Sequence, residues 1–263
     1  MILAGVVGFP VAHSRSPAMM NAAFAELGLD WRYLKLPVPA ERFTETVRAL
    51  PASGYRGANV TIPHKVAAHD VADELGDAAR AIGAANTVVF EAGRILADNT
   101  DAGGLLDALG EPVPVTALVL GAGGAGRAAV WALRDAGADV AVWNRTAERA
   151  EALASELGVR YVREPVAAEL VVNATSVGLR RARNSKAGED AAAALHLTSI
   201  DPPSVFVDMV YGTEPTPLTR WAAARGARVV DGLEVLVRQG ARSLERWTGR
   251  AAPLDVMRAA AAA

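Results

Sequence analysis

Residues 115–146 read VTALVLGAGGAGRAAVWALRDAGADVAVWNRT, and this stretch decides how the chain is to be divided. Val115 to Leu120, apolar but for Thr116, is the most strand-like run in the sequence. A segment of helical period follows from Ala125 to Ala136, and a second apolar run from Asp139 to Trp143. Strand, helix and strand in about 30 residues make a βαβ unit. Between strand and helix stands Gly121-Ala122-Gly123-Gly124-Ala125-Gly126, a G-x-G-x-x-G in the one context where that pattern has a mechanism. Gly121 permits the tight turn, Gly123 lets the backbone approach a pyrophosphate, and Gly126 lets helix and strand pack closely. The helix N-terminus then offers free N–H groups and a positive dipole end to phosphates.

The cofactor type is read one strand further on. Asn144-Arg145-Thr146 occupies the place where an NAD site puts a carboxylate on the ribose 2′-hydroxyl. A carboxylate would repel a 2′-phosphate; Arg145 can pair with one, and Asn144 and Thr146 can donate hydrogen bonds to it. NADP(H) is therefore favoured over NAD. The plainer reading is that Thr146 caps its helix and Arg145 is merely solvated.

Working outward, short apolar runs alternate with helical segments on both sides, the pattern of an α/β protein with a largely parallel sheet. Upstream, strands are expected at Ile2 to Gly8, Trp31 to Leu36 and Gly57 to Thr61. Helices are expected from Pro17 to Leu27, with Ser16 as N-cap, from Ala40 to Leu50, and from Pro63 to about Leu75. Asn86 to Phe90 and Ile95 to Ala97 read as a hairpin turning at Gly93, and a helix follows Asp98-Asn99-Thr100-Asp101. Downstream, the pattern gives a helix from Thr146 to Leu157 and strands at Val159 to Val162, Leu170 to Asn173, Val205 to Met209 and Arg228 to Val230. Arg180 to Pro203 reads as a loop with a short helix, and everything from Gly232 onward as helix. There is no internal repeat.

The composition bounds the function. Of 263 residues 51% are hydrophobic and 21% charged, so a buried core is expected, and the length suits two domains. Net charge is −2, which gives no basic field for nucleic acid or an anionic membrane surface. The chain has no cysteine, which excludes disulfides, thiolate metal sites and Cys nucleophiles. No metal site is expected. No apolar run approaches the roughly 18 residues of a membrane span, and the N-terminus lacks a signal-peptide pattern, so a cytoplasmic protein is expected.

A nucleotide site does not name a reaction; the polar residues ahead of it carry that. They are His13-Ser14-Arg15-Ser16, Asn59-Val60-Thr61, His64-Lys65, Asn86-Thr87 and Asp98 to Asp101. Asn59 and Thr61, two apart in a strand, share a face. Lys65 falls in the first turn of a helix, where the dipole opposes its charge, and Asp101 is the carboxylate that would favour it. One lysine, one carboxylate and many neutral donors suit a polyhydroxylated substrate whose hydroxyl exchanges with a ketone, the lysine passing the proton and a nicotinamide the hydride. Against this, Ser16 can simply cap a helix, Asn59 and Asn86 can satisfy buried backbone, and His13, His64 and His69 can be structural.

Eight blocks in order make the chain resemble the shikimate dehydrogenases along nearly its whole length: GFPVAHSRSP (8–17), GANVTIPHK (57–65), IGAANTV (82–88), DNTDAGG (98–104), LGAGGAGRA (120–128), WNRT (143–146), NATSVG (173–178) and DGLEVLVRQG (231–240). The resemblance implies NADPH-dependent, reversible reduction of 3-dehydroshikimate to shikimate. It implies a substrate domain over 1–102 plus 233–263, to which C-terminal helices return, and a Rossmann-type NADP-binding domain over 103–232, with both ligands in a cleft between them. Ser14 and Ser16 would bind the substrate carboxylate, and Asn59, Thr61, Asn86, Asp101 and Gln239 its hydroxyls; Tyr211 matches a substrate-side residue. Lys65 would be the general acid/base, with Asp101 orienting it. Gly121, Ala122, Gly123, Gly124 and Ala125 would hold the pyrophosphate, and Asn144, Arg145, Thr146 and Arg149 the 2′-phosphate. Met209 and Gly232 match positions near the nicotinamide, and Asp77 a cofactor contact.

The chain departs from the family pattern at Leu179 and Leu236, where methionines are common, and at Thr213, where a proline is common. Two other functions fit the same residues: a quinate/shikimate dehydrogenase of broader specificity, and a catalytically silent NADP-binding sensor. The expected partner is a small-molecule substrate, with no nucleic acid and no membrane; a homodimer is left open.

Overall fold

The computed structural model describes residues 1–178, 186–212 and 214–263. They divide into two compact units, Met1–Gly104 with Leu236–Ala263, and Leu105–Val235. In chain order the first runs β1 (Ile2–Gly8), α1 (Ser16–Glu26), β2 (Trp31–Pro37), α2 (Phe43–Ala49), β3 (Tyr55–Val60), α3 (Lys65–Val71), β4 (Glu74–Leu75), α4 (Asp77–Ile82), β5 (Thr87–Glu91), β6 (Arg94–Asp98) and into α5 (Thr100–Leu109). The second continues through β7 (Thr116–Leu120), α6 (Gly124–Asp135), β8 (Asp139–Trp143), α7 (Ala147–Leu157), β9 (Arg160–Tyr161), β10 (Leu170–Asn173), α8 (Ala187–Ala194), β11 (Val205–Asp208), α9 (Pro217–Ala223) and β12 (Arg228–Val230). The helix α10 (Gly232–Thr248) returns the chain to the first unit, and α11 (Leu254–Ala262) ends it.

In the second unit the strand order is β12-β11-β10-β7-β8-β9, every pair parallel, which is the doubly wound dinucleotide-binding order. Residues 117–120 of β7 are apolar throughout because both faces of the strand are covered there. Ala117 and Val119 join one core with α5, α6 and α7; Leu118 and Leu120 join another with α8 and α9.

The first unit holds a six-stranded sheet in the order β2-β1-β3-β5-β6-β4. It is mixed rather than largely parallel: β3, β5 and β6 pair antiparallel, because the Ala92-Gly93 turn folds β5 directly onto β6. Register sets Asn59 beside Thr87 and Thr87 beside Asp98, one polar row across three strands.

Several local expectations are corrected. Ser16 is not a cap but the first residue of α1; Arg15 stands at the cap position with helical angles and no side-chain bond. The helix expected from Ala40 opens with a 3₁₀ turn, Ala40–Arg42, before α2. Pro63 lies outside α3, after a cis Ile62–Pro63 bond, and the helix stops at Val71 so that β4 can pair with β6. Thr61 follows the end of β3, so its pairing with Asn59 on one strand face does not hold. The C-terminal helical run breaks between α10 and α11, where Gly249 has φ 66° and Pro253 precedes α11. α9, which the sequence reading passed over, is capped by Thr216, whose side chain accepts from the Thr219 N–H. Of the loop expected at 180–203, residues 186–203 are described and carry α8; Leu179 and Thr213 lie outside the described residues.

Candidate functional site

In the first unit Lys65 is the opening residue of α3 and Asp101 lies in the first turn of α5. Lys65 Nζ donates to Asp101 Oδ2 at 2.6 Å, with side chains 13% and 8% exposed. Asp101 Oδ1 makes no hydrogen bond among the described residues. The pair therefore keeps one carboxylate oxygen for a third group and a lysine whose proton already lies on a hydrogen bond.

Asn86, the residue before β5, is fixed in orientation. Its Oδ1 accepts from the Thr100 N–H at 2.7 Å, a group that can only donate, so its Nδ2 is turned towards Thr100 Oγ1 (3.0 Å) and Gln239 Oε1 (3.2 Å). Gln239 comes from α10, more than a hundred residues downstream. It can lie here because Gly104 leaves room: a Cβ at that position would come within 2.6 Å of the Gln239 backbone nitrogen. Asn59 Oδ1 accepts from the Tyr33 hydroxyl (2.7 Å), and its Nδ2 donates to Ser243 Oγ (2.8 Å), Thr87 Oγ1 (3.1 Å) and the Asn86 carbonyl (3.3 Å). Both functions of the Asn59 amide are thus engaged within the protein.

Ser14 and Ser16 are both buried at the N-terminus of α1, where the Ser16 N–H donates to Ser14 Oγ at 3.3 Å. Pro17 has no N–H and those of Ala18 and Met19 are taken by the Arg15 carbonyl, so the two serine hydroxyls and the positive end of the helix are what the turn offers a carboxylate. Thr61 is half-buried just after β3, and Asp77 is exposed at the first residue of α4.

In the second unit the glycine loop has the form a pyrophosphate requires. Gly121 has φ 113°, a conformation that L side chains avoid. A Cβ at Gly126 would stand 1.9 Å from the Gly121 carbonyl oxygen, so it is the loop's own turn that this glycine accommodates. A Cβ at Gly123 would meet nothing within 4 Å. The fold does not demand glycine there, whereas a ligand lying against the backbone does. Gly124 and Ala125 open α6, whose first N–H groups have no partner within the helix. The residues present therefore fit a dinucleotide.

Asn144 Oδ1 accepts from the Ala122 N–H (3.2 Å) and its Nδ2 donates to the Thr146 carbonyl (2.9 Å), tying the end of β8 to the glycine loop. Thr146 stands at the cap position of α7 but makes no capping side-chain bond. Among the described residues neither Arg145 nor Arg149 has an ion-pair partner. Asn144 and Arg145 line a cavity of about 450 Å³ with Trp143, Tyr161, Arg163 and His196; Arg149 is not among its walls.

At the far end of the same sheet edge, Gly232 lets α10 start against the loop after β11: a Cβ there would come within 2.6 Å of the carbonyl oxygens of Asp208 and Val210. Met209 donates its N–H to the Asn173 carbonyl (2.9 Å), and Tyr211 is half-buried. Sequence reasoning missed Asp208. It is fully buried at the end of β11, where its Oδ1 accepts from Asn173 Nδ2 (2.8 Å) and the Val210 N–H (3.0 Å), and its Oδ2 from the Thr216 hydroxyl. Burial pushes its pKa up to about 6 against those hydrogen bonds, with Asp231 adding a smaller push in the same direction. Also missed were Tyr33 and Ser243; the latter lies one helical turn past Gln239, a spacing that puts both on one face.

Among the described residues no cluster of side chains could hold a metal ion, and no helix is long and apolar enough to cross a membrane.

Residues 6–88 match the family model of the shikimate dehydrogenase substrate binding domain, 109–177 that of shikimate / quinate 5-dehydrogenase, and 232–262 that of the shikimate 5'-dehydrogenase C-terminal domain. The chain is 45% identical to the shikimate dehydrogenase (NADP(+)) of Gluconobacter oxydans, over 94% of this chain and 90% of that one. It is 42% identical to the enzyme of the same name from Methanopyrus kandleri, over 97% and 93% of the two chains. Among solved structures it is similar to shikimate 5-dehydrogenase from Thermus thermophilus in complex with NADP(H) and shikimate, with a TM-score of 0.89, 42% identity and coverage of 99% and 98%. With fold, motif order and sequence agreeing across both units, the chain belongs to the shikimate dehydrogenase family.

Proposed function

We propose that this protein reduces 3-dehydroshikimate to shikimate with NADPH, reversibly. The observation that carries the reading is the Lys65–Asp101 pair at 2.6 Å, set among buried amides in the unit that matches a substrate-binding domain. NADPH, when bound, supplies the hydride that reduces the carbonyl. Its pyrophosphate fits the Gly121 to Ala125 loop, and its 2′-phosphate fits Arg145, Arg149 and Thr146, with Asn144 holding the loop from behind. Met209 and Gly232 are proposed to lie near the nicotinamide, and Asp77 to make a further cofactor contact.

On the substrate side, Ser14 and Ser16 with the α1 N-terminus take the carboxylate; Thr61, Asn86, Asp101 and Gln239 take hydroxyls, with Tyr211 beside them. Lys65 holds a proton at Nζ and hands it to the carbonyl oxygen as that oxygen gains charge; in the reverse direction the neutral amine removes it. Asp101 Oδ2 keeps the amine in place, and Oδ1 is left for the substrate hydroxyl next to the reacting carbon. Asn59 belongs to the same set, its amide turned by Tyr33 and Ser243 as that of Asn86 is by Thr100.

Cofactor and substrate choice separate this reading from a broader quinate/shikimate dehydrogenase. The absence of a carboxylate at Asn144 to Thr146 favours NADP(H), and a chain without catalysis has no use for a lysine held on a carboxylate. A homodimer and a cytoplasmic location are part of the proposal. Initial rates with NADP+ and NAD+, each on shikimate and quinate, test it: a preference for NADP+ and shikimate supports the reading. Turnover of quinate equal to that of shikimate gives the broader enzyme, and turnover of neither overturns it.

A further inference from the structure

We propose that Ser243 and Thr87, with Tyr33 behind them, are positioning residues that set which substrate hydroxyls this protein accepts, by locking the amides of Asn86 and Gln239. The inference rests on the functional reading above. The row Asn59, Thr87 across β3 and β5 places two polar side chains side by side in the sheet, and α10 crosses the row with Ser243. Thr87 Oγ1, Thr100 Oγ1 and Ser243 Oγ form a closed triangle with sides of 3.0, 2.8 and 3.1 Å. Ser243 and Thr87 are fully buried and Thr100 is 3% exposed, so substrate does not reach Ser243 or Thr87.

The amides in this knot have one orientation each, while the three hydroxyls, with one proton apiece, share their donations among the triangle and its neighbours. The Asn86 carbonyl can only accept, so Asn59 must present Nδ2 to it and to the triangle, with Oδ1 turned back to the Tyr33 hydroxyl. The Thr100 N–H can only donate, so Asn86 must present Oδ1 inward, where Thr87 and Thr100 hydroxyls also reach it at 3.1 Å. Asn86 Nδ2 then donates to Thr100 Oγ1 and Gln239 Oε1, so the cluster that turns Asn86 also sets where the Gln239 amide stands. The Gln239 backbone carbonyl, 3.0 Å away, can only accept, so it takes the one Ser243 proton; Ser243 then accepts from Asn59 Nδ2 and from the threonines, tying the Gln239 turn of α10 to the cluster that orients Asn86. Mutually polarised bonds of this kind fail together when one member is lost.

Ser243→Ala and Thr87→Val delete one hydroxyl each with little change of volume, Thr87→Ser keeps the hydroxyl, and Tyr33→Phe keeps the ring. The whole enzyme is assayed with shikimate and NADP+, well below each variant's melting temperature. Expected are a rise of about tenfold in the KM for shikimate for Ser243→Ala and Thr87→Val, a smaller rise for Tyr33→Phe, and no change in the KM for NADP+. Thr87→Ser stays within twofold of wild type. A purely structural role would lower the melting temperature of all and move neither KM. The proposal is overturned if Thr87→Val keeps the wild-type KM for shikimate, whether or not Ser243→Ala folds, or if both KM values rise together. Failure of the functional reading is separate, since it shows in a wild-type protein that turns over no shikimate.

Discussion

Lys65 and Asp101 meet at 2.6 Å although each lies in the first turn of its own helix, α3 and α5, 36 positions apart. A helix N-terminus favours the aspartate and opposes the lysine. The lysine is held there by the carboxylate and not by its own helix. With both side chains almost covered, screening by water is weak and the pair acts as a unit.

Replacing Lys65 by alanine removes the proton carrier and leaves the amides that hold the substrate. We expect kcat to fall by about 10² or more, with shikimate affinity within a few-fold of wild type. Isothermal titration with shikimate alongside steady-state rates checks both halves. Near-normal turnover removes the lysine from the chemistry.

Gly126 and Gly123 make opposite predictions. Gly126→Ala drives a methyl to 1.9 Å from the Gly121 carbonyl oxygen, so the turn must open and the melting temperature must fall. Gly123→Ala meets no protein atom within 4 Å and leaves the melting temperature of the free protein near wild type, but fills the space proposed for the pyrophosphate, so the KM for NADPH rises. Thermal melts without ligand and a cofactor titration separate the two; a Gly123→Ala protein with unaltered cofactor affinity argues against a pyrophosphate at this loop.

Arg145 has no ion-pair partner among the described residues, so its removal breaks nothing in the fold. A charge-assisted bond to a phosphate is worth roughly 1.5–3 kcal/mol, and Arg145→Ala is expected to weaken NADP+ binding by about 10- to 100-fold while leaving NAD+ binding alone. Fluorescence titration with 2′-phosphorylated and unphosphorylated adenosine nucleotides reads this directly. Equal losses for both overturn the assignment.

How much of this was legible depended on how local the signal was. The βαβ unit at 115–146 could be read because strand, glycine turn and helix follow one another and each has its own pattern. The mixed sheet of the first unit was harder: β4 has two residues, Glu74–Leu75, and owes its existence to pairing with β6, not to propensity. The lysine and aspartate could be named as candidates from their residue types, but their contact is a tertiary fact. Asn59 stands among the substrate residues by the family resemblance, and its residue type alone also suits a buried structural amide; its partners Tyr33 and Ser243, 26 positions before it and 184 after, are contacts no local pattern announces. The cap of α9 was local and could have been found, since Thr216-Pro217 is an N-cap followed by proline.

Asp208 was invisible because an aspartate ending a strand ordinarily faces water. Here it joins the loops after β10 and β11 to the start of α9 through Asn173, Val210 and Thr216. With a pKa near 6 in the folded chain and an ordinary 3.8 as the reference, the folded state holds a proton that the unfolded state has lost between those two values. Stability from this group is therefore fully present below pH ~4, declines as pH rises through about 6, and is then constant; the loss is on the order of 3 kcal/mol. Asp208→Asn stays neutral, keeps an oxygen for Asn173 and Val210, and can donate to Thr216 instead of accepting. Urea unfolding of wild type and variant at several pH values should show the variant gaining on wild type between pH 4 and 6, with the gap constant above. A gap that does not change with pH would mean that the carboxyl is ionised at no cost, held by its three donors strongly enough to offset complete burial.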